Sequence, residues 1–144
     1  MVTNVPKSTT RSTTAATTKK STKESTKERG DAGESRALAH LLAQGLTLVQ
    51  RNYRVARGPS ARGGEIDLIL RDRDGTLVFV EVRSRRSSTH GGAAASVGAT
   101  KQRSLILAAQ HFLQTQRTPP PCRFDVVAVD GEHVAWLRGA FDAS

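Results

Sequence analysis

Apolar residues along the chain fall into two helix-like and five strand-like segments. In DAGESRALAHLLAQ (31–44), Ala37, Leu38, Leu41 and Leu42 recur at helical spacing, and Gly45 is placed to end the helix. Asp31 and Glu34 read as first-turn acids, where the helix dipole favours negative charge. ATKQRSLILAAQHFLQT (about 98–115) has a second stripe of Leu105, Ala108, Ala109, Phe112 and Leu113, and Pro119–Pro121 forbid its continuation. Residues 46–55, 65–71, 76–83, 123–129 and 133–139 read as strands, with turns at RDRDGT and at Asp130-Gly131. RGPSARGG (57–64) reads as a loop, and the Gly/Ala/Ser segment after Arg86 as a mobile one. The predicted order, α–β–β–β–α–β–β, is that of an α/β domain whose two helices cover a mixed sheet.

Two of the predicted strands carry an acid inside an apolar run. Asp67 sits among Ile66, Leu68, Ile69 and Leu70, and Glu81 among Val78, Phe79, Val80 and Val82. A carboxylate beside a core is costly unless a positive charge compensates it. Alternation puts Phe79, Glu81 and Arg83 on one face of the second run, and Glu65, Asp67 and Ile69 on one face of the first. Whether the two acids meet depends on the turn. A two-residue Asp74-Gly75 turn sets Asp67 opposite Val82, with the acids on opposite faces. A three-residue Arg73-Asp74-Gly75 loop pairs Asp72 with Thr76, sets Asp67 opposite Glu81, and needs the left-handed residue that Gly75 supplies. The sequence admits both registers. In the second, the acids repel unless a cation lies between them or one is protonated. Hard divalent ions such as Mg²⁺ or Mn²⁺ take such oxygen ligands, and the Val82 carbonyl is a candidate third ligand.

Charge and composition add a partner class. The net charge is +9: residues 1–30 hold seven Lys or Arg against two Glu, and the remainder fifteen against eleven acids. Residues 1–30 have almost no large apolar side chain, so they read as a disordered basic tail ahead of a domain at 31–144. They contain no apolar signal-peptide segment, and no run in the chain is long enough to span a membrane. A basic domain with a basic arm favours a polyanion, and the plainer reading of the tail is solubility. The single cysteine, Cys122, excludes an internal disulfide or a Cys-based zinc site, fits a reducing cytoplasm, and reads as a small apolar residue at a strand start. The four histidines have no metal-ligand spacing and are expected at surface or edge positions, and the scattered aromatics are expected as core anchors.

Asp67 followed by Glu81-Val82-Arg83 resembles the D…(D/E)-x-K core of restriction-endonuclease-like nucleases. GEIDLI, FVEVR-x-R, the Gly/Ala loop, Lys101 opening a helix, and RFDVVAV together resemble the YraN-like bacterial family, which is assigned to that superfamily by fold; the likeness runs from about Gly33 to the C-terminus. The resemblance implies a restriction-endonuclease-like mixed sheet flanked by helices and a metal-dependent endonuclease that hydrolyses DNA phosphodiester bonds, with branched or damaged DNA among the candidate substrates. It implies Asp67 and Glu81 as ligands of Mg²⁺ or Mn²⁺. Glu34 matches the helical acid that resolvase-type members add. Lys101 and Arg83 would position water and phosphate, and Arg83, Arg85, Arg86 and Lys101 would contact nucleic acid. Resolvase-like relatives often pair up, so a homodimer is one arrangement the resemblance allows. Two positions depart from the superfamily pattern: Ile66 replaces the proline before Asp67, and Arg83 stands where lysine is usual. Arginine stays protonated and cannot be a general base, although it can hold a phosphate.

Each residue also admits a structural reading. Asp67 and Glu81 can pair with Arg83, Arg85 and Arg86; Glu34 can be a helix N-terminal acid, Lys101 an ordinary first-turn lysine, and the arginines a solvated basic edge. Two other functions follow from these readings. One is a nucleic-acid-binding module of the same fold without catalysis, favoured by Arg83. The other is a protein-interaction adaptor whose acids are structural.

Overall fold

The computed structural model describes residues 26–56, 63–84 and 97–143. The tail up to residue 25, the loop over 57–62, Arg85 and Arg86, and the Gly/Ala/Ser segment up to residue 96 lie outside the described residues. The elements run α1 (Thr26–Ala43), β1 (Thr47–Val55), β2 (Gly64–Arg71), β3 (Leu77–Ser84), α2 (Ala99–Gln114), β4 (Cys122–Asp130) and β5 (His133–Phe141). This is the predicted order. α1 starts five residues earlier than the apolar stripe indicates, inside the stretch assigned to the tail. Its first turn is Thr-Lys-Glu-Arg, which has good helix formers but nothing apolar to mark it. Glu28 is therefore a first-turn acid, and Glu34 lies in the third turn.

The strands form one sheet in the order β1-β2-β3-β4-β5. The β1–β2, β2–β3 and β4–β5 pairs are antiparallel, whereas β3 and β4 are parallel and joined across α2. On one face α1 packs Ala37 and Leu41 against Leu68, Leu70, Val78, Val80, Val127 and Val129. On the other, α2 packs Leu105, Ala108, Ala109 and Phe112 against Ile69, Leu77, Phe79, Phe124 and Val126. Apolar strand positions separate two by two between the helices, as the pleat requires. Leu42, part of the predicted α1 stripe, faces solvent instead. α1 ends in a Schellman motif: Leu46 N–H donates to the Leu41 carbonyl and Gly45 N–H to that of Leu42, with Gly45 at φ +100°.

The β2–β3 connection is the three-residue loop. Leu68 pairs with Val80, Ile69 with Phe79, Leu70 with Val78 and Arg71 with Leu77. Asp72 N–H donates to the Thr76 carbonyl and Gly75 sits at φ +91°. Asp67 and Glu81 are next in that register. The convergent alternative is the one adopted.

Two glycines let the helices close on this end of the sheet. A Cβ on Gly64 would lie 2.5 Å from the Ser104 carbonyl oxygen and 2.8 Å from the Ala108 nitrogen, both on the α2 backbone. A Cβ on Gly33 would lie 2.5 Å from the Ser84 Oγ, so α1 comes equally close to the end of β3. Gly64→Ala is expected to destabilise the fold by about 1–3 kcal/mol, because backbone cannot yield as a side chain can. Gly30→Ala, on the open surface of α1, should stabilise it by about 0.5–1 kcal/mol. Urea unfolding of the two variants side by side checks the contrast.

Candidate active site

Asp67 comes from the middle of β2, Glu81 from the middle of β3, Glu34 from α1 and Lys101 from the first turn of α2. Asp67 and Glu81 are buried, at 9% and 5% exposure. Asp67 Oδ2 accepts the Val82 N–H at 2.8 Å, so Val82 contributes a backbone donor here. Glu81 has two cations near it, Lys101 Nζ at 3.5 Å from Oε2 and Arg83 Nε at 3.9 Å from Oε1. Glu34 is mostly buried and faces Arg51 of β1, whose Nη2 is 3.8 Å from Oε2. Its burial in the third turn of α1 removes the helix-dipole account of this acid.

All three ion pairs are long: Lys101 at 3.5 Å is the nearest to hydrogen-bonding distance and lowers the Glu81 carboxyl's proton affinity, and the other two stand beyond it. Glu34 Oε2, Glu81 Oε2 and Arg83 Nε are buried atoms without a hydrogen-bond partner. The electrostatics follow. Desolvation, then the neighbouring Asp67, pushes the Glu81 carboxyl from the ordinary 4.5 up to about 7. Desolvation also raises Asp67, against the Val82 hydrogen bond and Lys101, which lower it. Glu34 is raised by desolvation and by Asp67, against Arg51. Among the described residues, no three acidic, histidine or cysteine side chains close into a complete metal cage. The donors are all oxygen, and the three acids stand among three cations, Lys101, Arg83 and Arg51. An all-oxygen set suits a hard cation held by one or two carboxylates and otherwise by water and substrate, the usual manner of Mg²⁺.

A third acid inside an apolar strand run, Asp125 on β4, behaves differently. It is fully buried, and its two oxygens accept from Arg123 Nε at 3.0 and 3.2 Å, Trp136 Nε1 at 2.8 Å and Gly139 N–H at 2.9 Å. Arg123 also donates to Asp72 at 2.9 Å. Sequence reasoning missed this network and Arg51. An acid within an apolar run is the available signal for Asp125, and Arg123 two residues before it on β4 is a local partner, but Trp136 and Gly139 come from β5 and the link to Asp72 from a distant turn. Cys122 opens β4 as expected but is exposed, so it is not an apolar core residue. Of the histidines, His111 and His133 are exposed, His40 is partly buried against Trp136, and His90 lies outside the described residues.

A five-stranded mixed sheet with one helix on each face, its parallel pair central and a hairpin leading into it, defines a restriction-endonuclease-like α/β domain. Residues 33–129 match the family described as "Uncharacterised protein family UPF0102", the YraN family, and the chain belongs to it. It is 69% identical over 115 residues to a UPF0102 protein of Methylibium petroleiphilum, covering 80% of this chain and 94% of that one. It is 64% identical over 115 residues to a UPF0102 protein of Acidovorax sp. JS42, covering 80% and 85%.

The raised Glu81 carboxyl carries a pH signature. The folded state holds this proton more tightly than the unfolded state, so the contribution to stability is full below about 4.5. It is lost as pH rises through about 7. In metal-free buffer, the stability of the wild type relative to Glu81→Gln should therefore fall by up to about 3 kcal/mol between pH 4.5 and 8. Urea titrations of both proteins across that range check it; parallel curves would mean that Glu81 is compensated.

Proposed function

We propose that this protein is a metal-dependent nuclease acting on DNA. The reading rests chiefly on one observation: buried carboxylate oxygens of Glu34 and Glu81 stand unpartnered beside Asp67, with every neighbouring cation held off at 3.5–3.9 Å. The network around Asp125 brings its ion pairs to 2.9–3.2 Å, although Arg123 Nη2 within it is also buried without a partner.

In this reading Asp67 and Glu81 hold Mg²⁺ or Mn²⁺, with Glu34 on the outer side of the cluster. The ion would neutralise charge building on the phosphodiester and make water a stronger nucleophile. Asp67 is oriented by the Val82 N–H. Lys101, projecting from α2 to within 3.5 Å of Glu81, stands in for the lysine that the strand lacks and orients the attacking water beside the carboxylates. Arg83 keeps its proton and binds a phosphate oxygen. Water attacks phosphorus in line and releases a proton to solvent as the new P–O bond forms; the P–O bond to the leaving oxygen breaks, and that oxygen takes up a proton from solvent. Exposed Arg54 on β1 and Arg103 on α2, with the net positive charge, favour the phosphate backbone. Arg83 in the lysine position is the observation that favours a second reading, a nucleic-acid-binding module without catalysis.

Cleavage of duplex, single-stranded, flapped and four-way DNA, and of RNA, with Mg²⁺, Mn²⁺ or chelator separates the two. The nuclease reading expects metal-dependent cutting that falls about 10²–10³-fold or more in Asp67→Asn and Glu81→Gln, and by a smaller factor in Lys101→Met. Salt-sensitive binding without cutting under either metal would leave the binding module; neither cutting nor binding would leave the adaptor.

A further inference from the structure

Asn52, in the middle of β1, has φ +50° and is the one non-glycine residue with positive φ among the described residues. Asparagine tolerates this left-handed conformation better than most residues, but within a strand it interrupts the pleat. Residues two apart on a strand normally share a face. Across Asn52 they do not. Arg51 reaches Glu34 on α1, whereas Tyr53 and Val55 pack in the α2-side core. β2 changes face at the same step: Leu68 packs in the α1-side core and Ile66 in the α2-side core. Arg51 pairs with Leu68 and Tyr53 with Ile66. Asn52 and Asp67 stand between those two pairs. Leu68–Val80 is also the last pair of the β2–β3 ladder before Asp67 turns its carboxylate to the Val82 N–H.

We infer that Asn52 is a positioning residue for this site. Its left-handed backbone twists the β1–β2 pair about Asp67, which aims the Asp67 carboxylate at the Val82 N–H beside Glu81 and sends Arg51 to Glu34. A single conformational requirement on the edge strand thus sets the direction of two side chains that face the acidic cluster. The inference deepens the reading of these acids as a cation-holding site and rests on it for the site's purpose, but not for its geometry.

The test uses the full-length protein with two substitutions. Glycine accepts φ +50° freely, whereas threonine, branched at Cβ, resists it. Hydrogen exchange of the Val82 amide is compared with that of Val80 on the same strand, and Mn²⁺ affinity is measured by titration. Asn52→Gly should keep both within about threefold of wild type, while Asn52→Thr should lower Val82 protection relative to Val80 by about tenfold or more and weaken Mn²⁺ binding by a similar factor. Should Asn52→Thr fail to fold, Asn52→Ala takes its place under the same criteria. Unchanged Val82 protection in the threonine or alanine variant, or equal loss in the glycine variant, overturns the inference. If wild-type protein binds no Mn²⁺, the cation-site reading falls, and Val82 exchange alone still decides the role of Asn52.

Discussion

The register of the β2–β3 hairpin is the constraint on which the acidic corner depends. Gly75, at φ +91°, closes a three-residue loop, and that count puts Asp67 and Glu81 next in register just beyond the last paired residues, Leu68 and Val80. With one residue fewer in the loop, Asp67 would fall opposite Val82 and the two carboxylates would point to opposite faces. Everything distinctive about the corner follows from this pairing: mutual repulsion, burial at the mouth of two cores, and raised proton affinity. Gly33 and Gly64 then let α1 and α2 approach closely enough for Glu34 and Lys101 to join it.

The chain places three acids inside apolar strand runs and treats them in two ways. Asp125 is saturated by a guanidinium, an indole N–H and a backbone N–H, which hold β4, β5 and the β2–β3 turn together. Such a network is worth little net stability compared with an apolar substitute, but it fixes geometry, and losing one partner is expensive. Asp67 and Glu81 share one close donor, the Val82 N–H, and otherwise only distant cations. The difference is not one of available arginines, since the chain is rich in them. It lies in where the strands carry their neighbours, and it separates a carboxylate whose pairs close to hydrogen-bonding distance from carboxylates whose ion pairs stay at 3.5–3.9 Å.

Much of this was legible in the sequence because it is local. Alternation and helical stripes mark seven elements in the right order, and Gly75 makes the convergent register feasible without choosing it over the two-residue turn. The acids announced themselves by sitting where apolar residues belong. What could not be read was what depends on distant partners. Arg51 looks like any edge-strand arginine until α1 brings Glu34 to it. The face swap at Asn52 and Asp67 breaks the alternation on which the reading rests, so Ile66 was expected with Leu68 and packs with Ile69 instead. The first turn of α1 was missed because it carries no apolar residue, and Glu34 was consequently placed too near the helix start.

The one parallel pair in the sheet has a kinetic meaning. β3 and β4 are separated in sequence by residues 85–121, which include α2, whereas β1, β2 and β3 follow one another through short connections. Short-range pairing tends to form early and long-range pairing late, so topology places the docking of α2 and β4 after closure of the β1–β2–β3 meander. Glu34, Asp67 and Glu81 all precede that crossover, and Lys101 follows it. On a ribosome the three carboxylates emerge first and can remain hydrated, and their burial is completed by the same helix that delivers the lysine.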